Sequence, residues 1–200
     1  MKRKDLYLAA GIGFIFGVLL LLPLKNIGFA VTPKLIFLSV FGFAVFAPFA
    51  LFVLYVASRF IPALYQFGKF AAVGALNTVI DLGALNFLII LTGISTGIYY
   101  SSFKAISFLA AVGNSYFWNK FWTFGSARPA SAKEFSRFIF FTFIGLIINV
   151  GVATLIVDIA SPVFGAPAKL MANVGAVVAT VVSLLWNYFA YKRFVFKSTP

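Results

Sequence analysis

The 200-residue sequence contains no cysteine and no histidine. Without Cys there is no disulfide framework, no thiol nucleophile and no Cys-ligated metal. Without His the commonest general base and metal ligand is missing as well. Acidic groups are nearly absent: Asp5, Asp81, Glu134 and Asp158 stand against 16 Lys plus Arg, for a net charge of +12. This ionisable set is thin for an enzyme, and no catalytic residue, cofactor or metal is expected.

Apolar side chains are what the sequence has in abundance. They make up 62% of the chain, with 27 Phe and a mean hydropathy of +1.05, against about 45–50% in soluble domains. A water-soluble chain of this size could not bury so many large side chains, whereas in lipid they need no burial. The cations punctuate apolar runs instead of forming a patch on a polar surface. Nucleic acid is therefore not an expected partner, and anionic membrane lipids are.

A helix needs about 20 mostly apolar residues to cross the hydrocarbon core. Six such runs follow one another: Leu6–Leu24, Leu35–Ala57, Phe70–Thr92, a fourth ending near Trp122, Phe138–Val157 and Leu170–Tyr191. The first is long for a signal-peptide core and no A-x-A cleavage pattern follows it, so it reads as a retained span. The second carries Pro48 and is expected to kink there. With the N-terminus inside, Lys25, Lys34, Lys104 and Lys169 face outward and the other 12 of the 16 cations face the cytoplasm. The expected fold is thus an all-α polytopic transmembrane bundle of six spans in the cell membrane, N-in and C-in.

The fourth and sixth spans end alike. Ser115–Phe124 aligns without gaps onto Asn187–Phe196 at a shift of 72 residues, matching Tyr, Phe, Lys and the final Phe. The same shift sets Asn77 on Asn149, and Phe67–Phe70 corresponds to Phe135–Phe138 after a small length change. The last four spans therefore read as a tandem, parallel repeat of helical hairpins. Recurrence of aromatic and basic residues at the membrane interface is the plainer account of the match.

Asp81 sits near the middle of a span, where a carboxylate costs about 2.5–3.5 kcal/mol to insert. Asn77 lies one turn before it on the same face. The sixth span carries a stripe through Lys169, Asn173, Ala176, Thr180, Ser183, Asn187 and Tyr191, and the fourth a similar one through Lys104, Ser107, Ala111, Asn114 and Trp118. Ordinary packing through small and polar residues would produce such stripes, and the lysines could simply snorkel. A track for a polar or anionic head group is the functional reading. Cations at the inner ends, among them Lys69, Lys120, Arg137, Lys192 and Arg193, suit phosphate groups. The N-terminal hairpin lacks comparable intramembrane polar groups and reads as an accessory anchor or assembly surface through Gly11, Gly13 and Gly17.

Phe70–Asp81, Asn119–Phe124, Phe135–Phe138 and Asn187–Phe196 together resemble the GtrA-like family over about residues 66–197. That family is a four-span membrane domain also found in some dolichyl-phosphate mannose synthases. The resemblance divides the chain into an accessory hairpin, 1–65, and a GtrA-like four-span domain, 66–200. It implies binding and transbilayer movement, by a flippase, of a polyprenyl-phosphate-linked sugar for cell-surface polysaccharide synthesis. The glycosyltransferase domain of the fused synthases has no counterpart here. Residues expected to bind substrate are Asn77, Asp81, Lys104, Asn114, Asn119, Lys120, Arg137, Asn149, Lys169, Asn173, Asn187, Lys192 and Arg193. Two alternatives stay open: a non-transporting scaffold for a separate glycosyltransferase, and a small proton-coupled exporter built on Asp81. The oligomeric state is open too, a homodimer included.

Overall fold

Runs of Leu, Val, Ile and Phe broken by Thr-Pro, Gly and Ser produce long helices with short connections. The structure, a computed structural model, describes residues 1–26, 28–94, 97–156 and 168–196; the side chains of 97, 100, 101, 104, 153, 154 and 168–177 lie outside that description. Among the described residues there are six long helices and no strand: α1 Arg3–Asn26, α2 Pro33–Ala57, α3 Ala63–Thr92, α4 Gly97–Trp118, α5 Ala132–Leu155 and α6 Ala168–Ala190. Two helices continue into π-helical turns, α4 into Asn119–Thr123 and α6 into Tyr191–Val195.

Local chemistry sets the boundaries. Thr32 caps α2 by accepting from the Leu35 N–H at 3.2 Å, with Pro33 in the first turn where no donor is required. Ser131 caps α5 in the same way through the Glu134 N–H. Gly93 ends α3 in the left-handed conformation at φ 71°, its N–H bonded to the Ile89 carbonyl. Among the described residues, four helices are long and apolar enough to cross a membrane: α1, α2, α3 and, over Ala132–Val152, α5. The 22-residue α4 has the length, but Ser101, Ser102, Lys104, Ser107 and Asn114 make it more polar.

The chain packs as two compact units, Met1–Gly125 and Ser126–Pro200. The first hairpin shares a core with α3 in the first unit. In the first unit Ala9, Ile12, Leu51, Val73, Leu76, Val79 and Trp122 form one buried cluster. Helices α1 and α3 run parallel, pinned at one end by Tyr65 to Asp5 (2.6 Å) and at the other by Asn26 to Asn86 (2.7 Å). Between α1 and α2 the backbones touch: a Cβ at Gly13 would collide with the Phe43 carbonyl, and one at Gly17 with Ser39 and Val40. The Ser39 hydroxyl donates to the Gly17 carbonyl at 2.8 Å. Gly13 and Gly17 thus serve packing within the chain, while Gly11 faces open space.

The second unit is the hairpin of α5 and α6 with its π-helical turn. Phe138, fully buried, packs on Tyr191 and Phe196 at centroid distances of 4.7 and 6.2 Å. Trp186 donates to the Phe141 carbonyl, and Phe141 stacks on Phe194.

Candidate functional site

In the first unit the polar residues of α3 and α4 meet in a seam. Asn114 Nδ2 donates to Asn77 Oδ1 at 2.7 Å. One turn along α3, Ser107 Oγ donates to Asp81 Oδ1 at 2.6 Å, and Ser107 is fully buried. Asn77, Asp81 and Asn114 are half-buried. A carboxylate and its neutral neighbours are thereby gathered along one helix pair, as the shared face of Asn77 and Asp81 suggested.

The seam leads to the π-helical turn after α4. Asn119, 1% exposed, donates from Nδ2 to the Ser115 carbonyl at 2.9 Å and to the Ser115 hydroxyl, while its Oδ1 is buried without a partner. Lys120 is fully buried, with its ammonium over the Phe121 ring. The wider π turn carries Trp122 and Thr123 towards the heads of α1 and α3. There Trp122 Nε1 donates to Asp5 Oδ1 at 2.8 Å and Tyr65 Oη to Asp5 Oδ2, with Lys69 Nζ at 3.3 Å from the same oxygen. Lys69 also lies over the rings of Tyr65 and Trp122, at 4.6 and 5.8 Å. A cavity of about 570 Å³ opens beside this cluster, lined by residues of α1, α2, α3 and the π turn.

Sequence reasoning missed Asp5, Tyr65 and Trp122 as a group. Asp5 passed for an ordinary charge flanking a span. The available signal was its rarity, one carboxylate among four in the chain, set in the basic run Lys2-Arg3-Lys4. Asn26 and Asn86 were likewise not singled out as a pair.

In the second unit Asn149 Nδ2 donates to Ser183 Oγ at 3.1 Å, and Thr142 Oγ1 shares a hydrogen bond with Tyr191 Oη at 2.7 Å. Asn187 is wedged against Gly145, where a Cβ would meet its amide, and its Oδ1 is buried without a partner. Lys192 and Arg193 are exposed on the π turn, with Lys192 over the Tyr188 ring, and Arg137 is exposed in the first turns of α5. The expected site residues therefore fall into two groups. Asn77, Asp81, Asn114, Asn119 and Lys120 belong to the first unit; Arg137, Asn149, Asn187, Lys192 and Arg193 belong to the second. Lys104, Lys169 and Asn173 lie on described helices, but their side chains are outside the described residues, as is Asp158 altogether.

Both units close on the same pattern. The π turns Asn119–Thr123 and Tyr191–Val195 lie 72 residues apart, and each ends with an N–H bonded five residues back, Phe124 to Asn119 and Phe196 to Tyr191. The closing Phe then meets a Phe of the hairpin's first helix: Phe124 with Phe70 of α3 at 6.3 Å, Phe196 with Phe138 of α5 at 6.2 Å.

Comparison with known proteins places the chain in a family. The chain is 32% identical over 115 residues to "Uncharacterized membrane protein YngA" of Bacillus subtilis (strain 168), covering 53% of this chain and 74% of that protein. No solved structure matches it. Its long apolar helices make it an integral, multi-pass membrane protein. Residues 69–198 match the family described as GtrA/DPMS, transmembrane domain, and the chain belongs to that family.

Proposed function

We propose that this chain binds a polyprenyl-phosphate-linked sugar and moves its head group between the leaflets of the cell membrane, along the polar seam of α3 and α4. The observation that carries this reading is the pairing of the half-buried Asn77, Asp81 and Asn114 and the buried Ser107 along two long helices, Asn77 with Asn114 and Asp81 with Ser107. Interhelical hydrogen bonds in membranes contribute only about 0.6 kcal/mol on average. A sugar hydroxyl can therefore replace an Asn–Asn bond at small cost. Asp81 is different in kind, since it must keep a donor while the seam is open. The chain carries out no chemistry of its own in this scheme; the sugar is attached and released by other proteins.

The paired π turns and their Phe contacts support a tandem repeat of two hairpins, and the distribution of cations supports six spans with both ends in the cytoplasm. The ring contacts favour an offset of 68 between α3 and α5, since Phe70 and Phe138 take the same place. In that register Asn149 matches Asp81 and Gly145 matches Asn77, instead of Asn149 matching Asn77. The second hairpin then holds a neutral amide where the first holds a carboxylate.

The test is leaflet exchange of a short-chain polyprenyl-phosphate sugar in proteoliposomes of the full chain. Asp81→Asn combined with Asn77→Leu should slow exchange by about tenfold or more, the equivalent of a 1.4 kcal/mol change. Exchange at the unaltered rate would overturn the route. The mutual satisfaction of the seam is the observation that favours the alternative, a scaffold for a separate glycosyltransferase. A scaffold would retain a stable complex with such an enzyme on purification and show no lipid exchange.

A further inference from the structure

The cavity beside Asp5 has a charge pattern of its own. Lys2, Lys4 and Lys69 line it, with Tyr55, Tyr65 and Trp122 as aromatic walls. Its single carboxylate, Asp5, is 4% exposed and already receives Tyr65, Trp122 and Lys69. The three lysine ammoniums and the Met1 α-ammonium, against the one carboxylate, leave a net charge of +3. Thr123 also lines the cavity; it is 4% exposed, and its hydroxyl is buried with no hydrogen-bond partner. A buried donor without a partner is uncommon in native structures and marks a place where a missing group completes the bonding.

A second cavity, about 250 Å³ and almost wholly apolar, lies in the same unit. Its walls adjoin those of the first in sequence: Leu54 and Gly68 line the apolar cavity, Tyr55 and Lys69 the polar one. The space exists because small residues (Ala50, Ala71, Ala72 and Ala75) line it where larger ones would fill it. A basic cavity and an apolar one built from the same three helices supply the two surfaces that an anionic amphiphile needs.

We propose that this cleft binds an unglycosylated lipid monophosphate. The phosphate lies among Lys2, Lys4, Lys69 and the Thr123 hydroxyl, and the first carbons of the chain occupy the apolar cavity. Charge decides between lipid classes. A phosphate monoester carries about −1.5 to −2 near neutral pH and offsets more of this positive charge than a sugar-linked phosphodiester, which carries one negative charge. The occupant is thus the bare carrier, distinct from the sugar-linked lipid of the α3–α4 seam. The site does not rest on transport, and Lys2 and Lys4 precede the family match at 69–198.

The full chain in nanodiscs, with Trp118→Phe and Trp186→Phe, leaves Trp122 as the only indole to report binding by fluorescence. Farnesyl phosphate is the probe; its methyl diester, farnesol and inorganic phosphate are the comparators. Saturable binding of farnesyl phosphate is expected, with the diester weaker by about tenfold, as for loss of one charge-assisted hydrogen bond. Thr123→Val, nearly isosteric, and Lys2→Ala with Lys4→Ala should each weaken it by a similar factor, while Lys25→Ala with Lys34→Ala leaves it unchanged. Equal binding of the diester or farnesol would overturn the proposal, as would full affinity in both the Thr123 and the Lys2/Lys4 variants. Inorganic phosphate binding as tightly as farnesyl phosphate would overturn the lipid assignment. These are equilibrium measurements, so their failure is distinguishable from failure of leaflet exchange.

Discussion

Asp5 shows how much one side chain can hold. Its two oxygens receive an indole N–H from the π turn and a phenol O–H and an ammonium from α3. Asp5→Ala would leave all three donors without their acceptor and Lys69 without its counter-ion. A loss of about 3 kcal/mol is expected, seen as a lower unfolding temperature in detergent together with a change in Trp122 emission. Tyr65→Phe removes one bond from the same carboxylate and should cost about 1 kcal/mol. If the two variants were equally stable, Asp5 would not be the hub. Sequence could show that Asp5 was rare, but its partners lie 60 and 117 residues away. No local spacing joins them.

At the scale of elements, the approach of α1 and α2 depends on two glycines one turn apart. Gly17→Val would drive a side chain into the backbone at Ser39 and Val40, which cannot move aside as a flexible side chain could. Overpacking of this kind costs about 1–3 kcal/mol. Gly11→Val meets nothing within 4 Å and should stay within about 0.5 kcal/mol of the parent. Thermal unfolding of the two variants side by side checks the contrast, and equal midpoints would contradict it. The glycine face was visible in the sequence, but its partner was not: an apolar helix with small residues suits another chain as well as its own neighbour. The π turns were visible only as a repeated aromatic and basic string. Their extra width depends on the backbone pairing of Phe124 with Asn119 and Phe196 with Tyr191, which residue type alone does not dictate.

For the whole molecule, the shared core of α1, α2 and α3 means that the first hairpin supports the family domain. Removing residues 1–62 would expose Val73, Leu76 and Val79, now buried against Ala9, Ile12 and Leu51. A chain of 63–200 should therefore lose its single symmetric peak in size-exclusion chromatography; an unchanged peak would show the hairpin to be dispensable for folding. Orientation can be checked separately because the chain has no cysteine of its own. With the N-terminus inside, Ala30→Cys should react with a membrane-impermeant maleimide in intact cells and Ala130→Cys should not.

The sequence by itself determined that this is an all-helical membrane protein, where its long runs lie and which polar residues interrupt them. Those properties follow from side-chain transfer energies and helix length, which act locally. It also exposed the likeness of Ser115–Phe124 to Asn187–Phe196, since a repeat is a property of the string. Only the tertiary structure decided the partners: Asn77 with Asn114, Asp81 with Ser107, and Asp5 with Tyr65, Lys69 and Trp122. A polar group in lipid must find a donor or acceptor, but which one depends on helix register and close approach, set by glycines and packed side chains far apart in the chain.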